Sequence, residues 1–192
     1  INPDNALAYL NRSNAKNNLG DYQGALNDSN KAIAIDPDTA VAYINRSSAK
    51  ISLGDYQGGL DDTNKAIAIN PYIALAYVNR SSAKISLGDY QGALNDINKA
   101  ISIDPDNALA YVNRSSTKIN LGDYQGGLDD TNKAIAIDPE NTIAFNNRGQ
   151  AKGSLGDYKG ACNDFIKAVS LGNQATAQWL NSKDGTWCRN MR

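Results

Sequence analysis

Histidine is absent from this chain of 192 residues, and cysteine occurs only twice. The first absence removes the commonest acid–base group and metal ligand. The second leaves Cys162 and Cys188 far short of a zinc site. No charge of one sign predominates: 19 Lys and Arg stand against 20 Asp and Glu, for a formal net charge of −1. That balance provides no basic footprint for nucleic acid or for an anionic membrane surface. No apolar run approaches the length of a membrane span. Neither a metal nor a cofactor is expected, and no enzyme chemistry suggests itself. Proline is scarce as well, but its copies are ordered: they stand at 3, 37, 71, 105 and 139, one every 34 residues.

The text between the prolines is nearly the same each time. Residues 6–39 read ALAYLNRSNAKNNLGDYQGALNDSNKAIAIDPDT, and 74–107 read ALAYVNRSSAKISLGDYQGALNDINKAISIDPDN. A self-similar period of this length marks a solenoid of stacked helical hairpins. Units that copy one another cannot carry a one-off catalytic constellation, so the chain is read as a binder. Its units are 6–39, 40–73, 74–107, 108–141 and 142–175, followed by a capping helix and tail over 176–192. Together they are expected to form a single domain over 1–192. GALND in units one and three alternates with GGLDD in two and four, as if a pair of repeats had been copied together.

Each unit divides into two helices. Asp or Asn before the first helix can cap it, and Gly20 with Asp21 makes the turn and caps the second. The Asp-Pro or Asn-Pro pair ends the second helix near Ile35. In the last unit Gly172-Asn173 replaces that pair. Ala175 to Ser182 then begin a sixth first helix, with Trp179 at its fourth position and no second helix after it. A solenoid needs such a cap to cover its last apolar face. Eleven helices are expected in all. The chain starts at Ile1-Asn2-Pro3, which reads as the end of a repeat. It is taken as part of a longer protein, cytoplasmic by default.

With positions counted from the first residue of each unit, the pattern resembles the tetratricopeptide repeat family. The family's aromatic at position four is Tyr9, Tyr43, Tyr77, Tyr111 and Phe145. Its turn glycine is Gly20, Gly54, Gly88, Gly122 and Gly156, and its alanine at position twenty-seven is Ala32, Ala66, Ala100, Ala134 and Ala168. Position seven departs from the family, with arginine for the usual leucine. So does position eight, where serine stands in four units and glycine only at Gly149. The resemblance implies an all-α fold, a right-handed superhelical solenoid of antiparallel hairpins, whose first helices line a concave groove that takes protein or peptide partners.

Helical geometry divides each first helix into two sides. In unit two Ala42, Tyr43, Arg46, Ser47, Ala49, Lys50 and Leu53 gather on the packed side. The arginines there (Arg12, Arg46, Arg80, Arg114 and Arg148) need partners, because an unpaired buried charge is costly. The aspartates at position twenty-three lie level with them across the hairpin. Five pairs are expected: Arg12 with Asp28, Arg46 with Asp62, Arg80 with Asp96, Arg114 with Asp130, and Arg148 with Asp164.

The opposite side is the expected groove floor. It carries a ladder of asparagines at position six: Asn11, Asn45, Asn79, Asn113 and Asn147. A carboxamide both donates and accepts, so it can bond a peptide backbone without reading side chains. The ladder resembles that in the repeat domain of the protein O-linked sugar transferase, which implies an extended polypeptide as partner. Apolar residues flank it: Leu7, Val41, Leu75, Leu109 and Ile143, then Leu10, Ile44, Val78 and Val112. Ile51, Ile85 and Ile119 extend the stripe, with Ser48, Ser82 and Ser116 between. Exposed apolar rows beside polar groups mark interaction surfaces. Family members that grip chaperone C-termini use lysines at positions two and five and an arginine at six; those basic residues are missing here. The alternative reading is a structural array that self-associates end to end through the uncapped N-terminal repeat. Cys162 reads either as a small core residue facing the cap or as the partner of Cys188 in a disulfide holding the tail.

Overall fold

The structure is a computed structural model that describes residues 5–190. The described residues are helical or in turns, and they fall into two compact units, one up to Pro105 and the other from Asp106. The first holds α1 (Ala6–Asn18), α2 (Tyr22–Ile35), α3 (Ala40–Ser52), α4 (Tyr56–Ile69), α5 (Ala74–Ser86) and α6 (Tyr90–Ile103). The second holds α7 (Ala108–Asn120), α8 (Tyr124–Ile137), α9 (Thr142–Ser154), α10 (Tyr158–Ser170), α11 (Gln174–Asn181) and the short α12 (Thr186–Arg189). The odd-numbered helices α1 to α9 are the first helices of the repeats, and each packs on the even-numbered helix that follows.

Local chemistry sets these boundaries. Asp21 caps α2 by accepting a bond from the Gly24 backbone N–H at 2.9 Å, and Asp55, Asp89, Asp123 and Asp157 repeat the arrangement. A Cβ at Gly24 would press on the Asp21 carboxylate, which would have to shift to make room. Gly20 and its counterparts have positive φ, 80° at Gly20, which a side chain would strain. Asn5, Asn107 and Asn141 cap their helices with side-chain bonds, whereas Thr39 and Ile73, at the same place, do not.

Apolar packing is continuous from one repeat to the next within a unit. Tyr9 and Leu10 of α1 join Ala32 of α2 and Ala42 of α3 in one cluster. Tyr43 and Ile44 join Ala66 and Ala76 in the next. In the second unit Val112, Ala134 and Ala144 repeat the scheme. Alanine at these contacts lets backbones approach closely. Leu53, assigned to the packed side from the helical wheel, is instead half exposed. It is the C-terminal cap residue of α3, one step beyond the last helical residue. Leu87, Leu121 and Leu155 repeat this, and Leu19 at the same cap position is 85% exposed.

Charge is buried in a repeating network. Arg46 donates through Nε and Nη2 to the two Asp62 oxygens at 2.8 and 2.6 Å. Arg12 with Asp28, Arg80 with Asp96, Arg114 with Asp130, and Arg148 with Asp164 make the same forked pair. The carboxylates are buried, while Arg46, Arg80, Arg114 and Arg148 each keep about a fifth of their side chain in water and Arg12 keeps 43%. Each aspartate also takes a lysine one helical turn beyond the arginine. Lys50 reaches Asp62 at 2.9 Å and Lys84 reaches Asp96 at 2.7 Å. The third branch of the fork leaves the repeat: Arg46 Nη1 bonds Asn30, and Arg80 Nη1 bonds Asn64. The guanidinium of Arg46 lies over the Tyr43 ring, 5.4 Å from its centre, a contact of the cation–π kind.

Arg12 bonding pulls the Asp28 carboxyl below its ordinary pKa; burial opposes the shift and Lys16 assists it. A carboxylate depressed in the folded state stabilises the fold fully above its unfolded pKa, near 4, and loses that contribution as pH falls below it. The stability difference between the wild type and Asp28→Asn should therefore be largest above about pH 5. It should shrink toward pH 2 in thermal melts; a pH-independent difference would contradict the pairing. At the second step of the network, Asp96→Ala should lower stability by about 3 kcal/mol, the low end for orphaning a buried charge. Arg80 and Lys84 stay partly hydrated, which keeps the cost at that end. The triple change Arg80→Leu, Lys84→Met and Asp96→Ala should recover much of the loss in a urea titration. An unchanged midpoint for Asp96→Ala would remove the network from the account of stability.

Candidate functional site

In the N-terminal unit, α1, α3 and α5 present successive faces. Position two stays in solvent: Leu7, Val41 and Leu75 are 64%, 46% and 44% exposed. Position five does not. Leu10, Ile44 and Val78 are buried, Ile44 and Val78 at 2% and 1%. Leu10 and Ile44 leave the predicted groove floor because they pack against the following repeat, on Ala42 and Ala76. Ile51, Ile85, Ser48 and Ser82 are half-buried. A cleft of about 290 Å³ opens between Leu7, Leu10, Asn11, Asn14, Thr39, Val41, Asn45 and Leu75.

The asparagine ladder is built differently from its expected solvent-facing row. Asn11 is exposed, Asn45 is buried, and Asn79 is half-buried. Asn45 donates its amide to the Leu10 carbonyl at 3.2 Å. Asn79 donates to the Ile44 carbonyl at 3.3 Å and to Ser47 Oγ at 3.0 Å. Each amide nitrogen thus ties its helix to the first helix of the preceding repeat. The carbonyl oxygens of Asn45 and Asn79 have no hydrogen-bond partner among the described residues. One amide end is structural and the other is free.

The C-terminal unit repeats part of this face on α7 and α9. Leu109 and Ile143 are exposed at 45% and 51%, and Val112 is buried. Ile119, Ser116 and Asn113 are half-buried. Asn147 is buried, and it donates to the Val112 carbonyl and to Ser115 Oγ, at 3.4 and 3.1 Å. At position five of this last repeat Asn146 accepts a bond from Thr176 Oγ1 at 2.8 Å, which fastens α11.

A disulfide joins Cys162 of α10 to Cys188 of α12. It closes a buried cluster in which Phe165 and Leu180 pack with Trp179 and Trp187 beside them. The short helix α12 after the cap was not anticipated from the sequence, where residues past Ser182 had no repeat to match. Aromatic rings concentrate here: Phe165 lies 4.8 Å from Trp179, Trp179 6.1 Å from Trp187, and Trp187 5.7 Å from Tyr158, centre to centre.

Among the described residues no group of three or more Cys, Asp or Glu side chains is placed to hold a metal, and no helix is long and apolar enough to cross a membrane. No curated protein sequence matches the chain. Solved structures do. TTC0263 of Thermus thermophilus is 18% identical, with a TM-score of 0.82 over 93% of this chain and all of that one. YrrB, a tetratricopeptide protein with an unusual peptide-binding site, is 19% identical with a TM-score of 0.64, over 94% of this chain and 93% of its own. MamA of Desulfovibrio magneticus RS-1 is 22% identical with a TM-score of 0.68, over 86% of this chain and 94% of its own. At such identities these likenesses establish the fold alone. The tetratricopeptide repeat model itself matches residues 6–39, 74–107, 108–141 and 143–172. With more than half of its length so matched, the chain belongs to the tetratricopeptide repeat family, whose members generally serve as scaffolds for protein–protein interaction rather than as catalysts.

Proposed function

We propose that the face made by α1, α3 and α5 receives an extended peptide segment of a protein partner. The observation that carries this reading is the half-used amide ladder. Asn45 and Asn79 are held by their nitrogens against the neighbouring helix, so their free oxygens keep a fixed direction before any partner arrives. An acceptor fixed in advance costs little ordering entropy when it bonds a backbone N–H. Packed helices lie roughly 8–10 Å apart, and an extended strand advances roughly 6.6 Å every two residues. A peptide crossing the helices therefore meets one asparagine every two to three residues. Leu7, Val41 and Leu75 border this path and offer apolar contact to its side chains. Neutral lining makes recognition rest on backbone bonds and apolar burial, not on charge. Asn147, with Ile143 beside it, would serve the same purpose in the C-terminal unit.

Two experiments separate the structural and the binding halves of the ladder. Asn79→Ala should destabilise the fold by about 1 kcal/mol, because it removes bonds to Ile44 and Ser47; a melting curve checks this. Val41→Glu with Leu75→Glu alters only exposed positions, so the melt should stay unchanged. Binding of extended apolar peptides on an array should fall by a factor of ten or more in that double variant. A wild-type array without binders, or one that the double variant leaves unaltered, would overturn the groove assignment. Concentration-dependent light scattering in the absence of binders would favour end-to-end association instead.

A further inference from the structure

The last repeat breaks the pattern of the others at several positions on one side. Position twelve, isoleucine in repeats two to four, is Gly153; position nine, serine in those repeats, is Gln150. Position twenty-four, small or aliphatic elsewhere, is Phe165. Gly149 accompanies that change, because a Cβ there would collide with the Phe165 ring. At Gly153 a Cβ would meet only Ala161, at an ordinary 3.7 Å, so packing does not force glycine at that position. What the missing side chain leaves is a cleft of about 550 Å³ within the C-terminal unit, inside the roughly 300–1,000 Å³ range of ligand sites.

Its walls are aromatic. Tyr124, Tyr158, Trp179 and Trp187 line it, and the planes of Trp187 with Tyr158 and with Trp179 meet at 73° and 69°. Steeply inclined rings form slots, not a flat floor. Asn120 and Gln150 stand at its rim, and no charged side chain belongs to the lining. Among the described residues, no hydrogen bond engages the two indole N–H groups, the two tyrosine hydroxyls or the side chains of Asn120 and Gln150. The indoles can only donate, and the others can donate as well. The cleft therefore offers apolar slots surrounded by unengaged donors.

We propose that this cleft binds a proline-rich segment of a partner polypeptide in the polyproline II conformation. Such a segment presents pyrrolidine rings that fill aromatic slots. It also presents a carbonyl acceptor at every residue and few N–H groups that would be left unpaired over the rings. Its conformation is formed in advance, so little order is lost on docking. A quaternary ammonium would draw on a carboxylate for charge balance, and the lining has none. This site is separate from the ladder in the N-terminal unit and does not rest on it.

Both tryptophans of the chain line the cleft, so intrinsic fluorescence reads it directly. Titration of the full chain with decaproline should give a saturable change, half complete below about 1 mM, and a Gly-Ser decapeptide should give none. Gly153→Ile restores the residue of repeats two to four and fills the cleft; binding should weaken at least tenfold while circular dichroism stays helical. Gln150→Ala, at an exposed rim position, should weaken it several-fold and serves if the first variant does not fold. The proposal is overturned by an unsaturable wild-type signal, or by unchanged affinity in the folded variants. Saturation with tetramethylammonium or a chito-oligosaccharide but not with decaproline would also overturn it.

Discussion

A buried carboxylate in each hairpin is the constraint around which the rest of the repeat is arranged. Asp62 lies at the core of its repeat and cannot stay charged there without compensation. It takes Arg46 and Lys50 from the facing helix. Two cations for one anion would overcharge the site if both were buried, but each keeps about a fifth of its side chain in water. The arginine's Nη1 reaches Asn30 of the repeat before. A pair that fixes the hairpin thus also sets the rotation of one hairpin on the next. Ionic contacts of this kind add less to net stability than to uniqueness, because alternative registers would strand the charge.

Small side chains make this geometry available. Alanines at the interface allow tyrosine at position four to lie under the guanidinium, and Ser47 and Ser81 bond back to their own helices at 2.8 and 2.7 Å. Within that close approach, position six comes within reach of the preceding helix. Asparagine fits there because one end of its amide can satisfy a neighbouring carbonyl while the other remains available. A leucine would fill the space but offer nothing to a partner, and a lysine could not stay neutral in it. Under the proposed function, stability and readiness to bind are not separate properties of this residue.

The fold was legible in the sequence because its signals are local. A 34-residue period, a glycine-aspartate turn and an Asp-Pro stop each act within a few residues, and the Arg–Asp pairs needed only the geometry of one hairpin. What escaped was the contact between repeats. A helical wheel treats each helix alone, so it placed Ile44 and Asn45 in solvent, whereas Ile44 packs on Ala76 of the following repeat and Asn45 reaches back to Leu10 of the preceding one. It also carried Leu53 into the core although the helix ends one residue earlier. The lysine's share in Asp62 could have been found, since Lys50 follows Arg46 by four residues and so shares its face. Past Ser182 no repeat remained to guide the reading, and α12 went unseen.

Repetition itself separates what the scaffold requires from what it does not. Residues that recur in every unit, such as the cap aspartate, the turn glycine and the forked arginine, are explained by folding each hairpin. Residues that recur without such a need, as at exposed position two, describe a surface common to all units. Where the last repeat departs, folding explains only some of the changes: Phe165 forces Gly149, and Asn146 gains Thr176. Gly153 and Gln150 have no such partner in the core. Gly153 stands in the last turn of α9, and nothing in the packing there requires glycine at a position where Ile85 and Ile119 fit their own repeats. The same stretch of chain collects both tryptophans and the only disulfide among the described residues. A cap needs to cover an apolar end, but it does not need an open aromatic cleft with unengaged donors. That surplus is what distinguishes the C-terminal unit from a simple termination of the array.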